Sequence, residues 1–180
     1  HARMNKIPFL GICYGMQMAI IEFARNELNL KNATSSEFDK KGLPIIGLLN
    51  EWSKDGKTIK GTDKDLGGTM RLGSYDAKLQ SNSKIRKIYK SKLIKERHRH
   101  RYEVNNDYRL LMEEAGLFAS GVSPDQKLVE ITEVLEHPFM VGSQFHPEFL
   151  SRPNSPHPLF KEFINVAKGV VREGSQHRLV

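Results

Sequence analysis

Cysteine is nearly absent from this sequence: Cys13 is the one such residue among 180. A lone thiol excludes an internal disulfide framework and fits a reducing compartment, so a cytoplasmic protein is expected. Long hydrophobic runs are also missing, and no apolar stretch approaches the ~20 residues of a membrane-spanning helix. Charged residues at 27% and hydrophobic ones at 38% fit a single globular domain with a sizeable core. There are no internal repeats, no low-complexity tracts, no P-loop-like glycine string and no Mg²⁺-binding acidic cluster. The basic opening His1-Ala2-Arg3-Met4-Asn5-Lys6 resembles the start of a signal peptide. The stretch after it contains Gly, Cys, Gln and Glu and no cleavage-like site, which rejects that reading. An initiator methionine is missing, so a piece of a longer polypeptide is expected.

The residues with chemistry to offer gather around the thiol. The apolar run Ile7-Pro8-Phe9-Leu10 leads into Gly11-Ile12-Cys13-Tyr14-Gly15, and a helical pattern spans Met16 to Leu28. Strand, sharp turn and helix, with cysteine at the apex and a glycine two residues to either side, is the arrangement of a nucleophile elbow. The helix start offers N–H groups and a positive dipole end to a thiolate or an oxyanion. The same string also fits a small buried cysteine on an ordinary turn.

Beyond the elbow, Lys31 to Gly42 reads as a polar loop, Ile45 to Leu49 as a strand, and Asn50 to Gly68 as an exposed mobile loop. Met70 to Leu79 predicts a strand and Ile85 to Ile94 a short basic helix. Tyr108 to Ala115 predicts a helix with Leu110, Leu111 and Met112 inside. Strands are predicted at Leu117 to Val122, Leu128 to Val134 and Phe139 to Phe145, then an amphipathic helix over Leu159 to Val171 and a frayed tail. The expected fold is α/β, a sheet flanked by helices, N-terminally truncated and with antiparallel additions.

The net charge is +7, and nine of 28 basic residues fall between Lys84 and Arg101, with Glu96 the one acid there. Such a run reads as a solvated helix face or as a surface for phosphates or nucleic acid. Its scarcity of aromatics argues against a base-stacking platform. His98 and His100 share a strand face and raise a metal site, but no third ligand is in view.

A cysteine hydrolase needs a base near its thiol and a group that orients the base. Of seven histidines, His146 ends a buried-looking strand and has Glu148 two residues on, on the same face of an extended chain. These residues carry a resemblance to the class I (triad-type) glutamine amidotransferases, through Gly11 to Gln17 and Gln144-Phe145-His146-Pro147-Glu148. Within that class the chain is similar to the glutaminase domain of the CTP synthase family. That likeness rests on Asn32 to Asp39, Gly67 to Gly73, Glu96 to Asn105 and Phe149 to Pro153.

The resemblance implies that Cys13 is the nucleophile, His146 the proton carrier and Glu148 its orienting partner. Tyr14 would supply a backbone oxyanion donor, at a position where the family usually shows Leu. Tyr14, Gly15, Met16, Gln17, Glu37 and Arg101 correspond to the glutamine-binding positions, with Glu37 for the α-ammonium and Arg101 for the α-carboxylate. Arg71 resembles a position tied to the activator GTP, and equally fits an ordinary strand-edge arginine. Residues 1–171 would be a partial glutaminase domain and 172–180 a flexible tail. The fragment itself would need no cofactor and would lack the loop with the second oxyanion donor, making it a poor glutaminase alone. ATP, Mg²⁺ and UTP would belong to a synthase domain of the same polypeptide, in a homotetramer. Rival readings are another class I amidotransferase, a γ-glutamyl hydrolase, a cysteine peptidase and a basic nucleic-acid-binding module. No partner in nucleic acid or membrane is expected.

Overall fold

The first apolar run becomes a four-residue strand, β1 (Phe9–Ile12), which passes through Cys13 into helix α1 (Tyr14–Asn26). The helix forms because Met16, Ile20, Phe23 and Ala24 recur at helical spacing and are all buried. It ends where Asn29 takes a left-handed φ of 56° and the chain turns back, the Leu30 N–H donating to the Ala24 carbonyl. The computed structural model describes residues 1–48, 51–54, 57–60 and 70–176.

Six strands make the main sheet. Beside β1 come β11 (Met140–Ser143), β10 (Val129–Val134), β9 (Leu117–Val122), β6 (Arg71–Leu79) and β7 (Leu93–His100), in that order. Among the described strands of this sheet only β1 and β11 pair in parallel, with Ile12 opposite Ser143; its other pairings are antiparallel. A smaller sheet joins β2 (Ala33–Ser35), β3 (Leu43–Leu48) and β8 (Tyr102–Val104). The core divides in two. One apolar cluster lies beneath α1 and α3 (Arg109–Glu114), the other beneath α2 (Lys84–Tyr89) and α4 (Pro158–Gln176). The expected sheet with helices and antiparallel additions is what the chain forms.

Several local expectations change. The loop predicted over Lys31 to Gly42 contains β2, whose three residues are all buried although Thr34 and Ser35 are polar. Within the loop predicted over Asn50 to Gly68, β4 (Glu51–Lys54) and β5 (Lys57–Lys60) pair antiparallel; residues 49, 50, 55, 56 and 61–69 lie outside the described residues. The basic helix is shorter than predicted, because Leu93 onward is strand. There, period-2 alternation sends Lys95, Arg97 and Arg99 outward and Glu96, His98 and His100 inward. On α3 only Met112 is buried; Leu110 and Leu111 are 67% and 44% exposed. Helix α4 runs on to Gln176, with 177–180 outside the described residues.

One close approach sets where the elbow helix sits. A Cβ on Gly142 of β11 would lie 2.5 Å from Met16 Cγ and 2.8 Å from Thr132 Oγ1, so α1 presses on the sheet where a side chain is missing. Gly169 in α4 has nothing within 4 Å of its would-be Cβ. Gly142→Ala is therefore expected to lower unfolding free energy by ~1–3 kcal/mol through overpacking. Gly169→Ala should raise it by ~0.5–1 kcal/mol through helix propensity. Urea titrations of the two variants check both signs.

Candidate active site

Cys13 sits at φ 51°, ψ −102°, outside the regions an L-residue ordinarily populates. Its backbone is held from both sides: its N–H donates to the Ser143 carbonyl at 2.6 Å, and its carbonyl accepts from the Gln17 N–H at 3.2 Å. Of the two flanking glycines, only Gly11 is sterically required. A Cβ there would lie 2.7 Å from the Gly15 carbonyl, whereas Gly15 faces open space on its own Cβ side. The turn is thus tight on one side and open on the other.

Burial is the strongest influence on the thiol and pushes its pKa up to about 11, with Glu103 and Glu148 adding to the rise. The Tyr14 backbone N–H and the Gln144 amide, 3.7 Å from the sulfur, act in the opposite direction without prevailing. The expected thiolate stabilisation by the helix start is therefore present but outweighed. In the free site Cys13 is a protonated thiol and needs a base.

His146 lies three residues beyond β11, next to the strand that carries Cys13. Its backbone N–H donates to the Arg97 carbonyl of β7 at 2.8 Å, which fixes its height above the sheet. Nδ1 and Glu148 Oε1 are 2.6 Å apart. Because a carboxylate only accepts, the proton is on Nδ1, and Nε2 is left as the basic nitrogen. Nε2 is buried and has no hydrogen-bond partner. Phe149 stacks on the imidazole at 5.0 Å between ring centroids. The contact with Glu148 is made by a 3₁₀ turn, Pro147–Phe149, not by the extended backbone that the sequence implied. Proline at the start of that turn folds the carboxylate back under the ring.

Gln17 is buried, and its Nε2 donates to the Tyr102 carbonyl at 3.0 Å and to Gln144 Oε1 at 3.1 Å. Glu37 is exposed on the turn after β2, where its N–H donates to Ser35 Oγ. Arg101 precedes β8, and its buried Nε has no partner. Burial raises the Tyr102 phenol, Glu37 raises it further and Arg101 opposes both, so the two charges flank one hydroxyl. Tyr14 turns its ring outward against Phe38, 5.9 Å between centroids. The Met16 side chain is fully buried against Gly142, which leaves its backbone as the part that a ligand could reach. Gln144 has no role in the sequence beyond membership of the His-Pro-Glu string, yet its amide bridges Gln17 and the thiol.

Arg71 is not an exposed effector contact. It is 1% exposed and bonds Glu103 Oε1 at 2.9 Å and Glu130 Oε1 at 2.8 Å, with its guanidinium 4.5 Å above the Tyr75 ring. Burial raises both carboxyls and Arg71 pulls them back. A guanidinium so enclosed presents no face to a nucleotide unless these pairs open. His98 and His100 do not face a common ligand either. His98 Nδ1 and His100 Nε2 are 2.9 Å apart, and both rings lie against the Arg71 cluster. Burial, then Arg71, depresses both imidazoles, His100 to about 3.

A cysteine on a strained elbow, with a carboxylate-oriented imidazole just past the neighbouring strand, is the equipment of acyl transfer. The family model "Glutamine amidotransferase class-I" matches residues 1–166. The chain belongs to the class-I glutamine amidotransferases. This amidotransferase chain is 77% identical over 168 residues, 93% of its length, to a CTP synthase of Pelagibacter ubique. It is 56% identical over 180 residues to one of Dehalococcoides mccartyi. It spans 31% and 32% of those relatives, about a third of their length. Among solved structures, the Trypanosoma brucei CTPS glutaminase domain with bound acivicin superposes with a TM-score of 0.81 at 36% identity. That match covers 93% of this chain and 62% of the other. A Thermoplasma acidophilum protein provisionally assigned to GMP synthase shares the fold at 15% identity and a TM-score of 0.56, over 94% and 62% of the two chains.

The titrating groups set up two measurements. With its pKa near 11, Cys13 should be alkylated by iodoacetamide at a rate still climbing through pH 10. An ordinary thiol levels off above ~8.5. A plateau near pH 9, read by peptide mass spectrometry, would show that burial does not control the sulfur. His100 acts on stability. Its folded pKa of about 3 lies below the unfolded ~6.5, so the stability it contributes is complete above pH 6.5 and declines as pH falls toward 3. Glu103 and Glu130, being raised, act with opposite sign. From pH 7 to 5 the wild type should lose ~1–2 kcal/mol more than His100→Gln in urea titrations.

Proposed function

We propose that this domain is the glutaminase portion of a CTP synthase, releasing ammonia from L-glutamine for the amination of UTP. The observation that carries the chemistry is the His146–Glu148 contact, which leaves a partner-free Nε2 next to the strand end that bears Cys13. His146 Nε2 takes the thiol proton as sulfur attacks the side-chain carboxamide carbon. The oxygen becomes negative near the Tyr14 N–H. The C–N bond then breaks, His146 returns the proton, and ammonia leaves. Water, deprotonated by the same imidazole, hydrolyses the thioester to glutamate and restores the thiol.

Arg101, with its unpartnered buried Nε, and Glu37 suit the carboxylate and ammonium of a free amino acid. A peptide bond would remove both charges, which disfavours the cysteine peptidase reading. On this proposal ATP, Mg²⁺ and UTP are handled by the remaining two-thirds of the polypeptide, assembled as a homotetramer and activated by GTP. A γ-glutamyl hydrolase or another amidotransferase would share the triad but leaves the 77% identity to a CTP synthase without a reason. No helix among the described residues is long and apolar enough to cross a membrane; a cytoplasmic location is proposed.

The test compares the full polypeptide with its Cys13→Ala variant, measuring CTP from UTP and ATP with glutamine or ammonia as nitrogen source. Glutamine-dependent synthesis should fall by ~10³-fold or more, with ammonia-dependent synthesis retained. No CTP from either source would mean a different acceptor. Undiminished use of glutamine by Cys13→Ala would remove the nucleophile.

A further inference from the structure

Gln144 is completely buried just past the end of β11, and its amide is engaged through both oxygen and nitrogen. Oε1 accepts from Gln17 Nε2 at 3.1 Å, which leaves Gln144 Nε2 to donate, and that nitrogen lies 3.7 Å from Cys13 Sγ. Gln17 Nε2 donates a second time, to the Tyr102 carbonyl at 3.0 Å. A primary amide has two N–H donors and one carbonyl acceptor. Both Gln17 donors are therefore committed, and its remaining group is Oε1, an acceptor. Turning either amide over would bring like groups together, so each fixes the direction of the other.

We propose that Gln144 is a positioning residue that ties the Cys13 sulfur to the orientation of Gln17, giving the sulfur a donor and the substrate an acceptor. The proposal rests on Cys13 being the nucleophile of a glutaminase. An acceptor at Gln17 Oε1 favours a ligand group bearing N–H protons, a carboxamide or an ammonium, over a carboxylate. The donor from Gln144 also acts among charges. Glu103 of β8 and Glu148 of the 3₁₀ turn oppose ionisation of the sulfur, and the Tyr14 N–H of α1 is the other group that favours it. His146 lies two residues along from Gln144 and takes the proton.

The experiment measures glutamate release from glutamine by the full polypeptide across pH, for wild type, Gln144→Met and Gln144→Glu. Gln144→Met removes donor and acceptor. It should lower kcat by ~10-fold or more, raise KM for glutamine by ~5-fold, and move upward the pH at which iodoacetamide alkylation of Cys13 is half-maximal. Gln144→Glu keeps an acceptor for Gln17 but gives the sulfur a carboxylate in place of an N–H. The same midpoint should shift by ~0.5 pH unit or more, with KM near that of wild type. A packing role alone would reduce activity and leave the midpoint in place, and an unmoved midpoint in both variants overturns the proposal. Should Gln144→Met fail to fold, the midpoint and KM of the isosteric Gln144→Glu decide. Wild type that releases no glutamate counts against the glutaminase reading instead. In that case the iodoacetamide rate at Cys13 decides for Gln144: a rate slower by ~3-fold in Gln144→Glu supports the tie, and equal rates overturn it.

Discussion

The parallel pairing of β1 with β11 is the constraint on which the rest of the site depends. Cys13 leaves the end of one strand and His146 the end of its neighbour, although 132 residues separate them along the chain. Two residues so distant in sequence reach neighbouring strand ends only if the register is right, and a slip of one residue would turn each to the wrong face. The 2.6 Å bond from the Cys13 N–H to Ser143 extends the pairing one step past the strand and into the elbow itself. Gly142 then lets α1 lie close enough for its first N–H to reach the sulfur.

Beneath this pair lies an ionic interior that hydrophobic burial does not explain. Arg71, Glu103 and Glu130 are each at most 4% exposed, and His98 and His100 fill the space beside them as neutral rings. Charges taken from water cost several kcal/mol apiece and are tolerated when paired with good geometry. Here the pairs link β6, β8 and β10, and so join the main sheet to the smaller one that carries Tyr102 and follows directly on Arg101. Arg101 and Tyr102, at the edge of the smaller sheet, inherit their positions from that joint. Glu96, bonded to Tyr89 and His157, performs a similar service between β7, α2 and the start of α4.

The elbow and the His-x-Glu string are legible in the sequence because their chemistry is local: a glycine-flanked cysteine between strand and helix, and a carboxylate two residues from an imidazole. Strands β6, β9 and β10 are legible for the same reason, each being an apolar or alternating run, whereas β7 is masked by the basic residues on its outward face and reads as the end of a helix. Gln144 is not, because its role exists only where Gln17, from another element, comes within hydrogen-bond reach. Arg71 misleads in kind. An arginine at the start of a strand pattern looks like a surface residue, and only the two carboxylates supplied by β8 and β10 make its burial tolerable. Burial of the polar Thr34 and Ser35 likewise depends on the neighbour β3, while Ala33 joins the apolar cluster under α1. Leu110 and Leu111 mislead in the opposite direction, as apolar residues left outside.

The alternation along β7 gives one short string two independent vocabularies. Residues 95, 97 and 99 meet water at the rim of the sheet, while 96, 98 and 100 belong to fitted polar clusters in the interior. A substitution at an odd position therefore alters a group that meets water, whereas one at an even position disturbs partners on other elements: Tyr89 and His157 for Glu96, Glu130 for His98 and Glu103 for His100. A stretch that looks like a monotonous basic tract is, position by position, half free text and half a lock.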